Sequence, residues 1–133
     1  MSDIWAIIPV KEFDGAKHRL SGLLSPPQRK LLAETMLTDM LDAVAGSRLL
    51  AGVVIVTLDP RATALGSKIG ARIVTEWARE GHTGSVNAGR RLLADEGRLG
   101  MITMPGDIPA TRASEIDAVL SACLLYTSDA ADE

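Results

Sequence analysis

The alternation of short apolar runs with helical stretches constrains the fold of this chain more than any other feature. Four such runs are present, and they extend over Asp3–Pro9, Ala51–Leu58, Ala71–Thr75 and Met101–Met104. Short apolar runs bounded by turn residues are typical of strands that are covered on both faces. Helices between successive strands imply parallel pairing and right-handed crossovers. The pattern predicts an α/β fold with three layers and a mostly parallel sheet, for which we expect the strand order 3-2-1-4.

Four helices are expected between and after the strands. The clearest begins after Ser25, which is followed by two prolines and by Gln28 at the second position of a capping box. Apolar residues at helical spacing continue as far as Gly46. Asp59 is predicted to be a turn residue before Pro60. The other helices are expected to reach Gly70, to span about Gly84–Glu96, and to follow Thr111 with Ile116, Val119 and Leu120 facing inward.

Length and composition narrow the class of protein. The chain has 133 residues, 47% of them hydrophobic, and a net charge of −3, which predicts one soluble domain. No apolar run approaches the roughly 18 residues of a membrane span, and the first residues lack the basic segment and cleavage site of a signal peptide. We therefore expect a cytoplasmic protein with neither a membrane nor a nucleic acid as partner. The oligomeric state is left open.

The last eleven residues, Cys123–Glu133, differ from the rest and contain the only cysteine and the only tyrosine. They correspond codon by codon to the translation of a common transposase-based sequencing adapter, although a disordered acidic terminus is the alternative. We expect residues 1–122 to be the N-terminal part of a single domain, and residues 123–133 to be non-native and irregular. Without this tail the net charge is zero and no thiol is available for catalysis or metal binding.

Three cations follow the first strand in a segment that we call the basic loop (Lys11–Leu20). Lys11, Lys17 and Arg19 lie there together with the small residues Gly15 and Ala16, which let backbone N–H groups come close to a phosphate. Ligands of open α/β sheets bind at the carboxyl ends of the strands, so the loop predicts an anionic ligand, most simply a polyphosphate. A solvated basic turn is the alternative. The chain contains neither the P-loop motif nor the G-x-G-x-x-G motif.

Two further segments contain candidate site residues. Asp107, in M-P-G-D-I-P, follows the fourth strand and suits Mg²⁺, which binds through one or two carboxylates and substrate phosphates, although P-G-D is also ordinary turn chemistry. The segment H-T-G-S-V-N-A-G opens a helix whose backbone donors could bind an anion or a ring carbonyl, with Ser85 or Asn87 near a base or ribose. A plain capped helix is the alternative. In the order 3-2-1-4 the basic loop and Asp107 face each other across one crevice, an arrangement suited to nucleotidyl transfer.

The motifs I-I-P-V-K-x-F-x-G-A-K-x-R-L-S, L-S-P-x-Q-R, G-x-V-N-A and P-G-D-I-P occur in this order between residues 3 and 122. Together they resemble the guanylyltransferases of deazaflavin coenzyme (F-420) biosynthesis. The resemblance implies a nucleotidyltransferase fold of the GT-A-like, Rossmann-like type. It also implies transfer of GMP from GTP to a small phosphorylated three-carbon acid (2-phospholactate, phosphoenolpyruvate or 3-phosphoglycerate) with release of pyrophosphate.

The resemblance also implies roles for individual residues. Lys11, Lys17 and Arg19 would be catalytic beside the triphosphate, and Asp107 would hold Mg²⁺. The nucleotide would contact Lys11 and Lys17 together with Pro9, Val10, Thr83, Gly84, Ser85 and Asn87. Because the family carries further metal-binding carboxylates and most of its acceptor pocket in a C-terminal part that this chain lacks, we expect the present chain to be inactive. The alternatives are another nucleotidyltransferase, of the molybdenum-cofactor or sugar-phosphate type, and a non-catalytic GTP-binding module.

Overall fold

A parallel sheet forms the centre of the computed structural model, which describes residues 3–13, 17–75, 81–98, 100–105 and 111–131. Its strands are β1 (Ile4–Val10), β2 (Leu50–Thr57), β3 (Arg72–Val74) and β4 (Gly100–Thr103). They pair in the order β3-β2-β1-β4, and all three pairings are parallel. The predicted strand order is therefore confirmed, with β4 at one edge of the described sheet.

The helices cover the two faces of the sheet unequally. They are α1 (Pro26–Gly46), α2 (Pro60–Lys68), α3 (Gly81–Asp95) and α4 (Ala113–Ala131), and a 3₁₀ turn spans His18–Leu20. The larger core cluster joins Ala6 and Ile8 of β1 to apolar residues of α1, α2 and α4. The smaller cluster joins Ile7, on the opposite face of β1, to Leu93 of α3. Burial on both faces confirms the three-layer α/β arrangement; of the helices described, only α3 contributes to the smaller cluster.

The start of α1 follows directly from its sequence. Ser25 Oγ accepts a 3.3 Å hydrogen bond from the backbone N–H of Gln28, and the Gln28 side-chain oxygen accepts one of 2.8 Å from the N–H of Ser25. Pro26 and Pro27 occupy the first positions of the helix, where a missing N–H donor costs nothing. The predicted capping box is confirmed, and the helix ends at Gly46 as expected.

Three local expectations are wrong. α3 begins at Gly81, three residues earlier than predicted. The backbone of residues 123–131 is helical, not irregular, because α4 continues to Ala131; no glycine or proline follows Ala113 to end the helix. The side chain of Val119 is 51% exposed, whereas Ile116 and Leu120 are buried as expected. No helix in the described part of the chain is both long enough and apolar enough to cross a membrane.

Within the described residues, the register of the sheet leaves the last residues of β1 unpaired on the β4 side. The pairing of β1 with β4 ends where Ile7 lies opposite Thr103, and a last hydrogen bond of 2.9 Å runs from the N–H of Met104 to the carbonyl of Ile7. On its other side β1 remains paired with β2 as far as Val10. β1 therefore continues beyond its pairing with β4 at the carboxyl edge of the sheet, which is where an open α/β fold binds its ligand.

Candidate functional site

The basic loop lies at this carboxyl edge, between the end of β1 and the start of α1. Lys11 follows the last residue of β1 directly and is exposed, as is Arg19, whereas Lys17 is half-buried. The three predicted cations thus share one edge of the sheet. Exposed amino and guanidinium groups there are accessible to an anionic ligand.

Lys17 has a backbone conformation that is uncommon for a lysine. Its φ is +55°, in the left-handed region, and its carbonyl accepts a 2.8 Å hydrogen bond from the N–H of Leu20. Non-glycine residues rarely adopt this conformation, and it persists only where surrounding structure imposes it. The 3₁₀ turn that follows Lys17 provides that constraint, so the turn fixes the backbone conformation from which the lysine side chain extends.

The last residues of β1 were predicted to contact the nucleotide. Pro9 pairs with Val56 and Val10 with Thr57, and both Pro9 and Val10 are half-buried. Pro9 lies beyond the end of the β4 pairing, where its lack of an N–H donor removes no bond to that strand. These two residues directly precede Lys11 at the carboxyl end of β1.

The start of α3 lies at the same edge, because α3 follows the carboxyl end of β3 and crosses back to β4. The N–H groups of its first three residues have no partner within the helix; Thr83 provides one of them, and Gly84 completes this first turn. Ser85 and Asn87 lie beyond it, so only their side chains could contact a ligand. Ser85 is 4% exposed, whereas Gly84 and Asn87 are half-buried. Of Gly84, Ser85 and Asn87, Gly84 and Asn87 are therefore the more accessible.

A glycine sets the distance between α3 and β1. A Cβ atom added to Gly89 would lie 2.8 Å from Cγ2 of Ile7, and Ile7 is fully buried. Real Cβ contacts are longer than this, so the helix approaches the strand closely only because no side chain is present. The close approach packs α3 directly against β1, and α3 begins at the same carboxyl edge of the sheet at which β1 ends.

The predicted metal ligand Asp107 lies outside the described residues. Two residues before it are described after β4: Met104, which is buried, and Pro105, which is exposed. Among the residues that the structure describes, no three histidine, cysteine or carboxylate side chains are grouped closely enough to hold a metal ion. The described residues therefore do not form a metal site by themselves, and Mg²⁺ binding stays a prediction.

Asp59 was predicted to be a simple turn residue, and the structure gives it a larger role. It is the N-cap of α2, where Oδ1 accepts hydrogen bonds of 2.8 Å from the N–H of Arg61 and 3.0 Å from that of Ala62. Its Oδ2 accepts a 2.8 Å hydrogen bond from the N–H of Phe13 in the basic loop. The pair Asp59-Pro60 is a recognisable helix start, but nothing in the local sequence indicates the bond to Phe13.

Arg29, in the first turns of α1, is a buried cation that the sequence interpretation did not select. Its side chain is 9% exposed, and Nη1 donates a 3.1 Å hydrogen bond to the carbonyl of Leu24. Within the described part of the chain, Nε has no hydrogen-bond partner. Arg29 is the last residue of the L-S-P-x-Q-R motif, and this motif was the sequence feature that could have drawn attention to it. Its bond to Leu24 attaches the segment after the basic loop to the helix.

Comparison with known proteins adds independent information. The family model described as "Guanylyl transferase CofC like" matches residues 4–127. The chain is 38% identical over 129 residues to the 3-phospho-D-glycerate guanylyltransferase of Phenylobacterium zucineum, covering 93% of this chain and 57% of that protein. It is 33% identical over 116 residues to the phosphoenolpyruvate guanylyltransferase of Conexibacter woesei, covering 87% of this chain and 52% of that protein. The chain thus spans about half the length of these relatives.

Solved structures agree on the fold. A protein of Desulfovibrio desulfuricans G20 assigned to the nucleotide-diphospho-sugar transferases superposes with a TM-score of 0.69 at 19% identity, over 91% of this chain and 54% of that one. The CMP:2-keto-3-deoxy-manno-octonic acid synthetase complexed with CTP gives a TM-score of 0.60 at 20% identity, over 91% and 47%. At this identity the likeness shows a shared fold alone. The family match over nearly the whole chain shows more: this chain belongs to the CofC-like guanylyltransferase family.

Proposed function

We propose that the full-length gene product transfers a guanylyl group from GTP to a small phosphorylated three-carbon acid and releases pyrophosphate, in deazaflavin coenzyme biosynthesis. The observation that carries the proposal is the position of Lys11, Lys17 and Arg19 in the segment that follows β1, at the carboxyl edge of the sheet where α3 also begins. The names of the relatives, which are guanylyltransferases for 3-phospho-D-glycerate and phosphoenolpyruvate, support the type of reaction. The cytoplasm is the location that we propose for it.

In the proposed reaction, a phosphate oxygen of the acid attacks the α-phosphorus of GTP in line. A new P–O bond forms there, the bond from the α-phosphorus to the oxygen bridging to the β-phosphate breaks, and the electron pair leaves with pyrophosphate. Lys11, Lys17 and Arg19 would hold the triphosphate and balance the charge that grows on the leaving group. Nucleotidyl transfer of this kind requires positioning and charge neutralisation and no covalent intermediate on the protein.

Asp107 is the residue that we propose for Mg²⁺. When bound there, the ion would add positive charge beside the phosphates. Gly84 and Asn87 are the contacts that we favour for the guanosine, because they are more accessible than Ser85.

The strength of nucleotide binding follows from the exposure of the cations. An exposed cation about 4 Å from a phosphate contributes about 1 kcal/mol, and the start of a helix adds up to about 1 kcal/mol. Three cations and one helix start then supply about 4 kcal/mol of favourable interaction. Because GTP and the side chains lose freedom on binding, the dissociation constant should be about 1 mM or higher. Even without the rest of the site, the present chain should bind GTP weakly but measurably.

Calorimetric titration with GTP tests this nucleotide site in the present chain. Lys11→Ala should weaken binding about fivefold, since one exposed contact of about 1 kcal/mol is lost. Lys68→Ala is the matched control, because it removes the same charge in the last turn of α2, at the opposite edge of the sheet. Equal weakening by both substitutions would indicate a nonspecific charge effect and contradict the site.

The reaction itself is tested with the full-length gene product by measuring pyrophosphate release. GTP and CTP are each combined with phosphoenolpyruvate, 2-phospholactate, 3-phosphoglycerate and a sugar phosphate. Release with GTP and one of the three acids is the expected result. Release only with a sugar phosphate would favour another class of nucleotidyltransferase, and GTP binding without release from any combination would favour a non-catalytic binding module.

A further inference from the structure

One carboxylate joins the basic loop to the neighbouring strand and helix. Asp59 is 6% exposed, and its two oxygens accept three backbone hydrogen bonds. Oδ1 accepts from Arg61 and Ala62 at the start of α2, at 2.8 and 3.0 Å. Oδ2 accepts from Phe13, 46 residues earlier in the chain, at 2.8 Å. Capping the helix requires only Oδ1, so Oδ2 is available to accept the hydrogen bond from Phe13 in the basic loop.

Phe13 is held in two ways, through its backbone and through its side chain. Its N–H donates to Asp59, and its ring, 3% exposed, belongs to the larger core cluster. Three residues earlier, Val10 is paired with Thr57 at the end of β2. Thr57 is itself tied to Asp59, because its Oγ1 accepts a 3.0 Å hydrogen bond from the Asp59 N–H.

Lys11 and Glu12 therefore lie in a two-residue span between fixed points. Val10 is fixed at one end by the sheet, and Phe13 is fixed at the other by Asp59. Both residues of the span are exposed, so burial of their own side chains does not restrain them. The two anchored ends restrain the backbone position of Lys11.

We propose that Asp59 is a positioning residue for Lys11 in the phosphate-binding site. It acts through the N–H of Phe13, and it fixes the backbone from which the Lys11 ammonium reaches a phosphate. This inference rests on the proposed function, because it assigns to Lys11 the phosphate contact proposed above. A lysine on a loose loop must lose more conformational freedom on binding than one on a fixed loop, so loss of the anchor should weaken binding.

Asp59→Asn separates the two tasks of the carboxylate. Asparagine caps helices as well as aspartate does, so its carbonyl oxygen can still accept from Arg61 and Ala62. The NH₂ group of the asparagine would then face the N–H of Phe13. Because both groups are hydrogen-bond donors, the bond between residue 59 and Phe13 is lost. Asp59→Ser is a second variant that keeps a helix cap and has no second acceptor for the loop.

Asp117→Asn is the matched control. The Asp117 carboxylate also accepts backbone hydrogen bonds, from Arg48 and Leu49 at 3.1 Å, but it does so in the turn before β2, at the amino edge of the sheet. The control should lower the melting temperature without changing the affinity for GTP or inorganic tripolyphosphate. It accounts for any general effect of destabilisation.

Two measurements are made on the present chain. Amide hydrogen exchange of Phe13, followed by NMR, should be at least about tenfold faster in Asp59→Asn, because the hydrogen bond that protects this N–H is absent. Calorimetry should show binding of GTP and of tripolyphosphate weakened about fivefold, as for Lys11→Ala. The double variant Lys11→Ala/Asp59→Asn should bind no more weakly than Lys11→Ala alone, since the two residues act through one contact.

The remaining outcomes distinguish failure of the role of Asp59 from failure of the proposed nucleotide site. Unchanged Phe13 exchange, or affinity equal to that of the unsubstituted chain, would overturn the role of Asp59 and leave the proposed function standing. Additive losses in the double variant would show that Asp59 does not act through Lys11. If the unsubstituted chain bound neither GTP nor tripolyphosphate, the nucleotide site would fail and this inference with it.

Discussion

Asp117 connects α4 to the turn that precedes β2, and the hydrogen bonds that it accepts there lower the pKa of its carboxyl group. Its carboxylate accepts a 2.5 Å hydrogen bond from Ser47 Oγ and further bonds from the N–H groups of Arg48 and Leu49. The Ser47 hydroxyl, and after it the Arg48 N–H, holds the pKa of Asp117 below its ordinary value of 3.8. Hydrogen bonds to the charged form have this effect because protonation weakens them.

A prediction about pH follows from the sign of that shift. A carboxylate with a lowered pKa in the folded state stabilises the fold above its unfolded pKa, and this contribution is lost as the pH falls through the folded pKa. The chain should therefore be more stable than Asp117→Asn near neutral pH, and the difference should shrink below pH 3.8. Urea unfolding across this range measures it. Ser47→Ala removes the largest cause of the lowered pKa, so the stability of this variant should fall less as the pH is lowered. If the stability difference between the chain and Asp117→Asn did not vary with pH, the lowered pKa of Asp117 would be contradicted.

Some residue roles could be predicted from the sequence and others could not, for physical reasons. The reciprocal bonds of Ser25 and Gln28 are local, so their spacing alone predicted them. The bond from Phe13 to Asp59 joins residues 46 positions apart, and no local pattern encodes such a contact. The left-handed φ of Lys17 was likewise invisible, because glycine or asparagine is the usual signal for that conformation.

At the scale of elements, helix starts were predicted well where capping chemistry is strong. α1 has both a capping box and prolines in its first turn, and its bounds agree with the prediction. α3 begins with G-H-T-G, residues of modest or poor helix propensity, and its first turn was taken for a loop. Propensity is a weak guide where tertiary packing decides, and α3 packs closely on β1 through Gly89.

The fit between α3 and β1 predicts the effect of Gly89→Ala. Alanine gains about 1 kcal/mol over glycine in a helix interior, but its Cβ would lie 2.8 Å from Ile7 Cγ2, and overpacking of a core costs typically about 1–3 kcal/mol. We expect the packing cost to dominate and the free energy of unfolding to fall by up to about 2 kcal/mol in urea titrations. In an Ile7→Ala background the same substitution should stabilise by about 1 kcal/mol, because only the propensity gain remains. A loss of equal size in both backgrounds would show that the contact with Ile7 is not the cause.

At the scale of the whole molecule, the sequence predicted which segments would share an edge. Parallel pairing in the order β3-β2-β1-β4 places the basic loop and the end of β4 at one edge. The alternation of strands and helices predicted the parallel pairing, and the expected strand order is confirmed by the structure. The metal ligand Asp107 stays a prediction, since it lies outside the described residues. Two buried side chains have roles that were not predicted: Asp59 binds the basic loop through Phe13, and Arg29 binds Leu24, just after that loop. The bond of Asp59 spans 46 residues and is visible only in three dimensions.

The other whole-molecule feature is the edge of the sheet at β4. In the described part of the chain β4 pairs only with β1, so its outer side carries unpaired backbone groups. The Met101 side chain there is 37% exposed. An exposed strand edge with apolar side chains favours pairing with a second chain. Val119 and Leu31, on the outer surfaces of α4 and α1, are also exposed, at 51% and 64%, so the edge must be distinguished from these helix surfaces.

We expect the chain to associate in a concentration-dependent way through β4, as measured by sedimentation velocity. Met101→Lys should reduce association, because a charged side chain on an edge strand opposes pairing with another strand. Leu31→Lys is the matched comparison, since it places the same charge on the exposed surface of α1, away from the strand edge. A reduction by Leu31→Lys with none by Met101→Lys would assign the association to the helix surface. A chain that remains monomeric at every concentration would show that the β4 edge does not pair. The expected result, loss of association with Met101→Lys alone, would assign the contact to strand pairing at β4.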